Sequence, residues 1–253
     1  KIVVCDIYFQ PHDQRKFIEM FEDVKVFDPE NKLNEKMNQY NIYSPNNWPF
    51  NYIRARNAGA AGFVGILYNF MDCNYYHEDY TDIVNIGGYM ELPALWLSKK
   101  DGIKLVEDLK KCDITKGNLN VKSVYELKEA LNVKGIVKGI SDDIIVIHSH
   151  HDATCRGAVQ DASGMSVVFS LAKYFASLPK EEIKTTLLFL STDSHYTDYE
   201  GHVGFINKRE EKHENIIMDF AIEHIGKAME MDKDNRIILY DESEARILYV
   251  TDT

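Results

Sequence analysis

The chain has 253 residues, 45% hydrophobic and 27% charged, enough to bury a sizeable core in one large domain or two ordinary ones. A formal net charge of -11 argues against nucleic acid as the main partner, because phosphate binding needs clustered Lys and Arg that this chain does not show. No apolar run approaches the roughly 18 residues of a membrane span, and the four cysteines, Cys5, Cys73, Cys112 and Cys155, form no C-x-x-C pair, which argues against a zinc ribbon or a disulfide scaffold.

The chain opens on an apolar strand-like run, KIVVCDIYF (1–9), and closes on RILYVTDT; we expect the natural protein to extend beyond both ends. A helical pattern follows in RKFIEMFEDV (15–24), then NYIRARNAGAAG (51–62) running into the strand FVGILYNF (63–70). The GAAG at 59–62 lacks both the G-x-G-x-x-G spacing and a following Lys-Ser/Thr, so close helix-to-strand packing is expected there rather than a phosphate loop. The polar, aromatic stretch DCNYYHEDYTD (72–82), with His77 among acids, reads as a solvated loop. LPALWLS (92–98) predicts a strand, KKDGIKLVEDLKKC (99–112) an amphipathic helix, and NLNVKSVYEL (118–127) a further strand.

From about Glu129 the pattern changes. ALNVKGIVKGISDDIIVIHSHHD (130–152) gives two strand-like runs joined by a Gly-Ile-Ser-Asp-Asp turn. ASGMSVVFSLAKYFASL (162–178) places Met165, Val168, Leu171, Ala172, Phe175 and Leu178 on one helical face. KTTLLFLSTDSH (184–195) and ENIIMDFAIEHIG (214–226) read as strands. Strands alternating with helices predict an α/β fold with a mainly parallel or mixed sheet flanked by helices.

Ligands of open α/β sheets bind beyond the carboxyl ends of the strands. Three runs here end alike: one leads into His148, His150, His151 and Asp152, one into Asp193 and His195, one into Glu223 and His224. Imidazole and carboxylate converging on one rim is the donor set of a zinc-type site. Each residue also has a plainer reading. A lone histidine at a strand end is usually a hydrogen-bonded surface group, and Asp161 stands where it could simply cap the helix that follows, its carboxylate accepting a backbone N–H.

NVKGIVKG followed by IIVIHSHHDA, GAVQDASGMSVVFSLAKYF, TTLLFLSTDSHYTDYEGHVGFI and IEHIG resembles the M28 family of zinc aminopeptidases (clan MH) over about residues 130–226. KIVVCD, ARNAGAAGFVGILYN and LPALWLSKKDGIKL resemble the protease-associated (PA) domain that some members carry. The resemblance implies a PA-like α/β domain over residues 1–125 without catalytic residues and a zinc-exopeptidase-like domain over 126–253. It implies a metal-dependent exopeptidase that hydrolyses peptide bonds through metal-activated water. A family His-x-Asp pair maps onto His150, as metal ligand, and Asp152 behind it. The family's bridging aspartate falls on Asp161 and a later carboxylate ligand on Glu223, where Asp is more usual. Active members carry a Glu-Glu pair, a general base and a ligand of the other zinc; counting back from Gly201, those positions hold His195 and Tyr196. Histidine accepts a proton near neutral pH, which gives His195 the base role, whereas tyrosine, with an ordinary pKa near 10, is a poor ligand. Asp193, Asp198 or Glu200 would substitute in a shifted loop, and the family's last histidine ligand is expected beyond Thr253.

The implied cofactor is zinc, with one ion held well by His150, Asp161 and Glu223 and a second held weakly or not at all. The implied partner is a peptide substrate; homo-oligomerisation is left open. The alternative is a catalytically degenerate M28-like binding or scaffold protein. A serine hydrolase is disfavoured, since there is no G-x-S-x-G elbow and Ser163 lies inside a helix start.

Overall fold

The computed structural model of the chain describes residues 1–8, 11–13, 25–29, 38–40, 50–68, 74, 90–111, 116–122, 124, 126–153, 157–196, 199–231 and 237–243. The expected helix at 15–24, His77 with most of its loop, Cys73, Cys112, Cys155 and Asp198 lie outside them. The fold is α/β, with parallel and mixed sheets flanked by helices, and the chain divides into two compact units, one chiefly of residues 1–124 and one chiefly of 125–230.

In the first unit, β1 (Ile2–Ile7) is followed by β2 (Pro11–Asp13) and β3 (Asn38–Tyr40), which pair antiparallel with each other. Helix α1 (Phe50–Asn57), β4 (Gly62–Leu67), β5 (Ala94–Ser98) and helix α2 (Lys99–Lys111) complete it, and β1, β4 and β5 form a three-stranded parallel sheet in that order. Its core joins Ile7, Tyr52, Ala55, Phe63 and Leu67. The glycines of GAAG stop a helix and pack a strand. Gly59 takes a left-handed φ of 72°, and Ala60 N–H bonds Ala55 O while Gly59 N–H bonds Arg56 O, the pattern that closes α1. Gly62 lies so close to Leu119 and Pro93 that a Cβ would sit 2.6 Å from the Leu119 side chain. Ser98 caps α2, accepting the Asp101 N–H at 3.2 Å.

The second unit contains β6 (Val133–Val137), β7 (Ser141–His150), α3 (Ala162–Ala176), β8 (Thr185–Thr192), α4 (Glu200–Glu211) and β9 (Ile216–Ala221). Its sheet runs β6-β8-β7-β9, with β7 parallel to β8 and β9, and β6 antiparallel to β8. Side chains of β7 and β8 alternate between two covered faces, as a strand's two-residue period requires. Ile147, Leu187 and Phe189 pack with Met165 and Val168 of α3, while Ile144, Val146, Leu188 and Leu190 pack with Phe205 of α4. Burial on both sides is why these strands read as unbroken apolar runs. After β9, β10 (Lys227–Met231) pairs with β11 (Ile237–Ser243).

One sequence expectation is corrected and another is met with an added feature. The described residues of 118–127 form no strand; Val121 and Val124 are exposed, and no strand pairs with them among the described residues. The two runs around the Gly-Ile-Ser-Asp-Asp turn do form β6 and β7, yet β8 inserts between them. Among the described residues no helix is long and apolar enough to cross a membrane.

Candidate metal centre

Because β7, β8 and β9 run parallel, their carboxyl ends at His150, Thr192 and Ala221 share one rim, and the connections leaving them carry the candidate side chains. His150 is fully buried. Its Nδ1 lies 2.9 Å from the Asp152 carbonyl oxygen and 3.2 Å from Asp152 Oδ1. Both partners are acceptors, so Nδ1 carries the proton and Nε2 keeps a bare lone pair. That Nε2 is buried and has no hydrogen-bond partner among the described residues. A buried, unsatisfied nitrogen costs about 1–3 kcal/mol, and a histidine whose far nitrogen is held by a carboxylate is the arrangement in which imidazole ligates metal.

His195 lies in the turn after β8, half-buried, and its Nδ1 is also buried without a partner among the described residues. Its ring stacks on that of His150, centroids 4.0 Å apart and planes 11° from parallel. Glu223 follows β9. One donor atom each from His150, His195 and Glu223 lies within 4.8 Å of the others. An ion bound to an imidazole sits in the plane of its ring, and two nearly parallel rings have no common in-plane point. Ligation by both therefore requires one ring to turn, and half-buried His195 on its turn has the freedom that His150, at the end of a central strand, lacks.

Asp152 ties the rim together: one carboxylate oxygen faces His150, and the other accepts the Tyr196 N–H at 3.3 Å. Asp161 is not one of these three donors. It is buried, caps α3 by accepting the Gly164 N–H at 3.3 Å, accepts the His224 N–H at 3.1 Å, and receives a short hydrogen bond from the Ser149 hydroxyl. One carboxylate thus fastens the end of β7, the start of α3 and the segment holding Glu223, where His224 adopts a left-handed φ of 55°. Asp193, considered as a substitute ligand, accepts the Leu131 and Ser194 N–H groups instead, and Glu200 is exposed at the first position of α4. Tyr196 sets its ring edge-on to His150 and His195, at 5.6 and 5.1 Å. Tyr199, which sequence reasoning passed over, packs 5.0 Å from His195 at the start of α4.

Burial, reinforced by the neighbouring His150, pushes the His195 pKa down to about 4, with Asp152 opposing. His195 is therefore neutral at pH 7, with a lone pair for an ion or a proton. In the unfolded chain an imidazole titrates near 6.5. Between about pH 6.5 and 4 the unfolded state takes up a proton that the folded state refuses, so stability falls as the pH drops through this window. Because the side chain is partly exposed and solvent screens part of the effect, we expect a loss of about 1 kcal/mol. Urea midpoints at pH 7.5 and 4.5 should differ by less in His195→Gln than in the wild type; equal differences would contradict this.

No protein-family model matches the chain, and no curated protein sequence matches it. Among solved structures it is similar to an aminopeptidase from Aneurinibacillus sp. strain AM-1, with 22% identity and a TM-score of 0.42 over 70% of this chain and 43% of that one. The chain thus spans less than half the length of that aminopeptidase.

Proposed function

We propose that the second unit is a metal-dependent exopeptidase domain of the M28 type, preceded by a PA-like domain over residues 1–125, and that it acts on peptides or aminoacyl amides. The reading rests on one observation above others: two imidazoles with buried, unpartnered nitrogens stand beside a carboxylate, their donor atoms within 4.8 Å. The set suits a borderline divalent ion, zinc first, and leaves coordination places for water and substrate. Such an ion, when bound, polarises a scissile carbonyl and lowers the pKa of water.

The chain's own residues supply the rest. Asp152 holds the proton on His150 Nδ1 and so presents Nε2. His195, neutral above about pH 4, offers its lone pair to the ion when turned and to a proton when stacked. Asp161 carries no step in this scheme and fixes the Glu223 segment. Two neutral imidazoles and one carboxylate leave a divalent ion with net positive charge, which favours an oxygen developing negative charge. The Tyr196 ring beside both imidazoles adds a phenol that can donate to such an oxygen.

A second reading is a metal-retaining binding protein. It is favoured by His195 and Tyr196 standing where the resemblance calls for two glutamates. Hydrolysis of short peptides and aminoacyl amides, measured with added zinc, manganese or cobalt, separates the two. We expect metal-dependent turnover that falls on the order of 100-fold or more in both His150→Ala and His195→Ala. Turnover without metal, or indifferent to both substitutions, would sink the peptidase mechanism, whereas bound metal with no turnover favours the binding protein.

A further inference from the structure

We propose that the α4 face of the sheet carries a second divalent-metal site, formed by His148 and His202 and adjoining the His150 centre, since the His202 ring centroid lies 5.9 Å from that of His195 as well. The two side chains line a cavity of about 100 Å³ between β7, β8, β9 and α4, whose other walls include Val146, Leu190, Phe205 and Ile206. An apolar cavity is a costly place for imidazoles without partners.

Each ring nevertheless shows one nitrogen committed and one bare. The His202 Nε2 lies 3.1 Å from Thr192 Oγ1, and that hydroxyl donates its own hydrogen to the Ser149 carbonyl at 3.3 Å. Thr192 therefore accepts from His202, whose Nδ1 is left deprotonated. His148 Nε2 faces Asp219 Oδ1 at 3.4 Å, a carboxylate that can only accept, so in the neutral ring the hydrogen sits on Nε2 and the lone pair on Nδ1. Both Nδ1 atoms are buried and have no hydrogen-bond partner among the described residues. This repeats the arrangement at His150, an oxygen holding one nitrogen while the other waits for a ligand.

The ring geometry agrees. The centroids of His148 and His202 lie 5.9 Å apart with planes at 78°. Two imidazoles on one tetrahedral ion, with bonds of about 2.0–2.1 Å, place their centroids roughly 5 Å apart. Closing by about 1 Å through a turn of the His202 side chain suffices, and crossed planes, unlike stacked ones, share in-plane points. Imidazole donors suit zinc, nickel and copper. Asp219, an acid on the otherwise apolar β9, balances the charge.

The rival occupant is a single water donating to both nitrogens, and metal counting distinguishes the two. The metal-free chain would be titrated calorimetrically with zinc and with nickel, with bound metal measured independently. In a His150→Ala background we expect one ion per chain, lost when His202→Ala or His148→Ala is added and weakened about 10- to 100-fold by Asp219→Asn. Imidazole nitrogen resonances of the unsubstituted chain give a readout that needs no variant: saturation should shift Nδ1 of both His148 and His202. No ion in the His150→Ala chain, binding that survives both further substitutions, or unmoved Nδ1 resonances would each overturn the proposal. Because the counting is done without His150, failure of the peptidase reading leaves this result intact.

Discussion

Replacing His150 by alanine should lower the affinity of the His150, His195 and Glu223 centre for zinc by more than about 100-fold, beyond the 10- to 100-fold typical when only an outer partner of a ligand is lost. His150 is the donor already oriented: its strand fixes the ring, Asp152 fixes the tautomer, and its bare Nε2 has no other use among the described residues. His195 must turn to bind, so its removal should cost less than that of His150. His148→Ala, on the same strand but facing Asp219, should leave this centre nearly unchanged. Competition against a chromophoric chelator measures all three, and equal losses for His148→Ala and His150→Ala would contradict the assignment.

Gly164→Ala should destabilise the second unit by about 3 kcal/mol, at the upper end of what overpacking costs. A methyl there would lie 2.1 Å from the Ile222 carbonyl oxygen and 2.5 and 2.8 Å from the two Asp161 carboxylate oxygens. None of these can yield cheaply: Asp161 is held by the helix start, by Ser149 and by His224, and Ile222 N–H is bonded to the His148 carbonyl. The melting temperature should fall by roughly 10 °C, and zinc affinity should fall with it because Ile222 immediately precedes Glu223. At Gly204 in α4 a methyl would meet nothing within 4 Å, so Gly204→Ala should be neutral or stabilising by up to about 1 kcal/mol. Similar melting temperatures for the two variants would show that the segment 222–226 shifts freely.

Much of the second unit was legible because burial on both faces writes strands as apolar runs, and β7 and β8 are such runs. Helix α3 showed its apolar stripe and its cap. Helix α4 did not: the positions it buries are Gly201 and Arg209, while Val203 and Ile206 stay about half exposed, so no apolar face marks it. His202 was missed with it. The order of β6, β8 and β7 depends on pairing between segments far apart in sequence, which a local pattern cannot carry. At the rim, residue types revealed His150, His195 and Glu223 as candidates, but the stacking that links His195 to His150 depends on how the turn after β8 folds back. Asp161 could be read as cap or ligand from its position alone; its bonds to Ser149, Gly164 and His224 are what the position did not reveal.

Among the described residues β9 is hydrogen-bonded to a strand on one side only, and all six of its residues are exposed. Strands with one neighbour and little burial open at a lower free energy than the centre of a sheet. Glu223 rides just beyond that strand, whereas His150 ends the strand between β8 and β9. The residence time of an ion at the rim is then limited by how often β9 peels away, carrying off one donor while the other two remain in place.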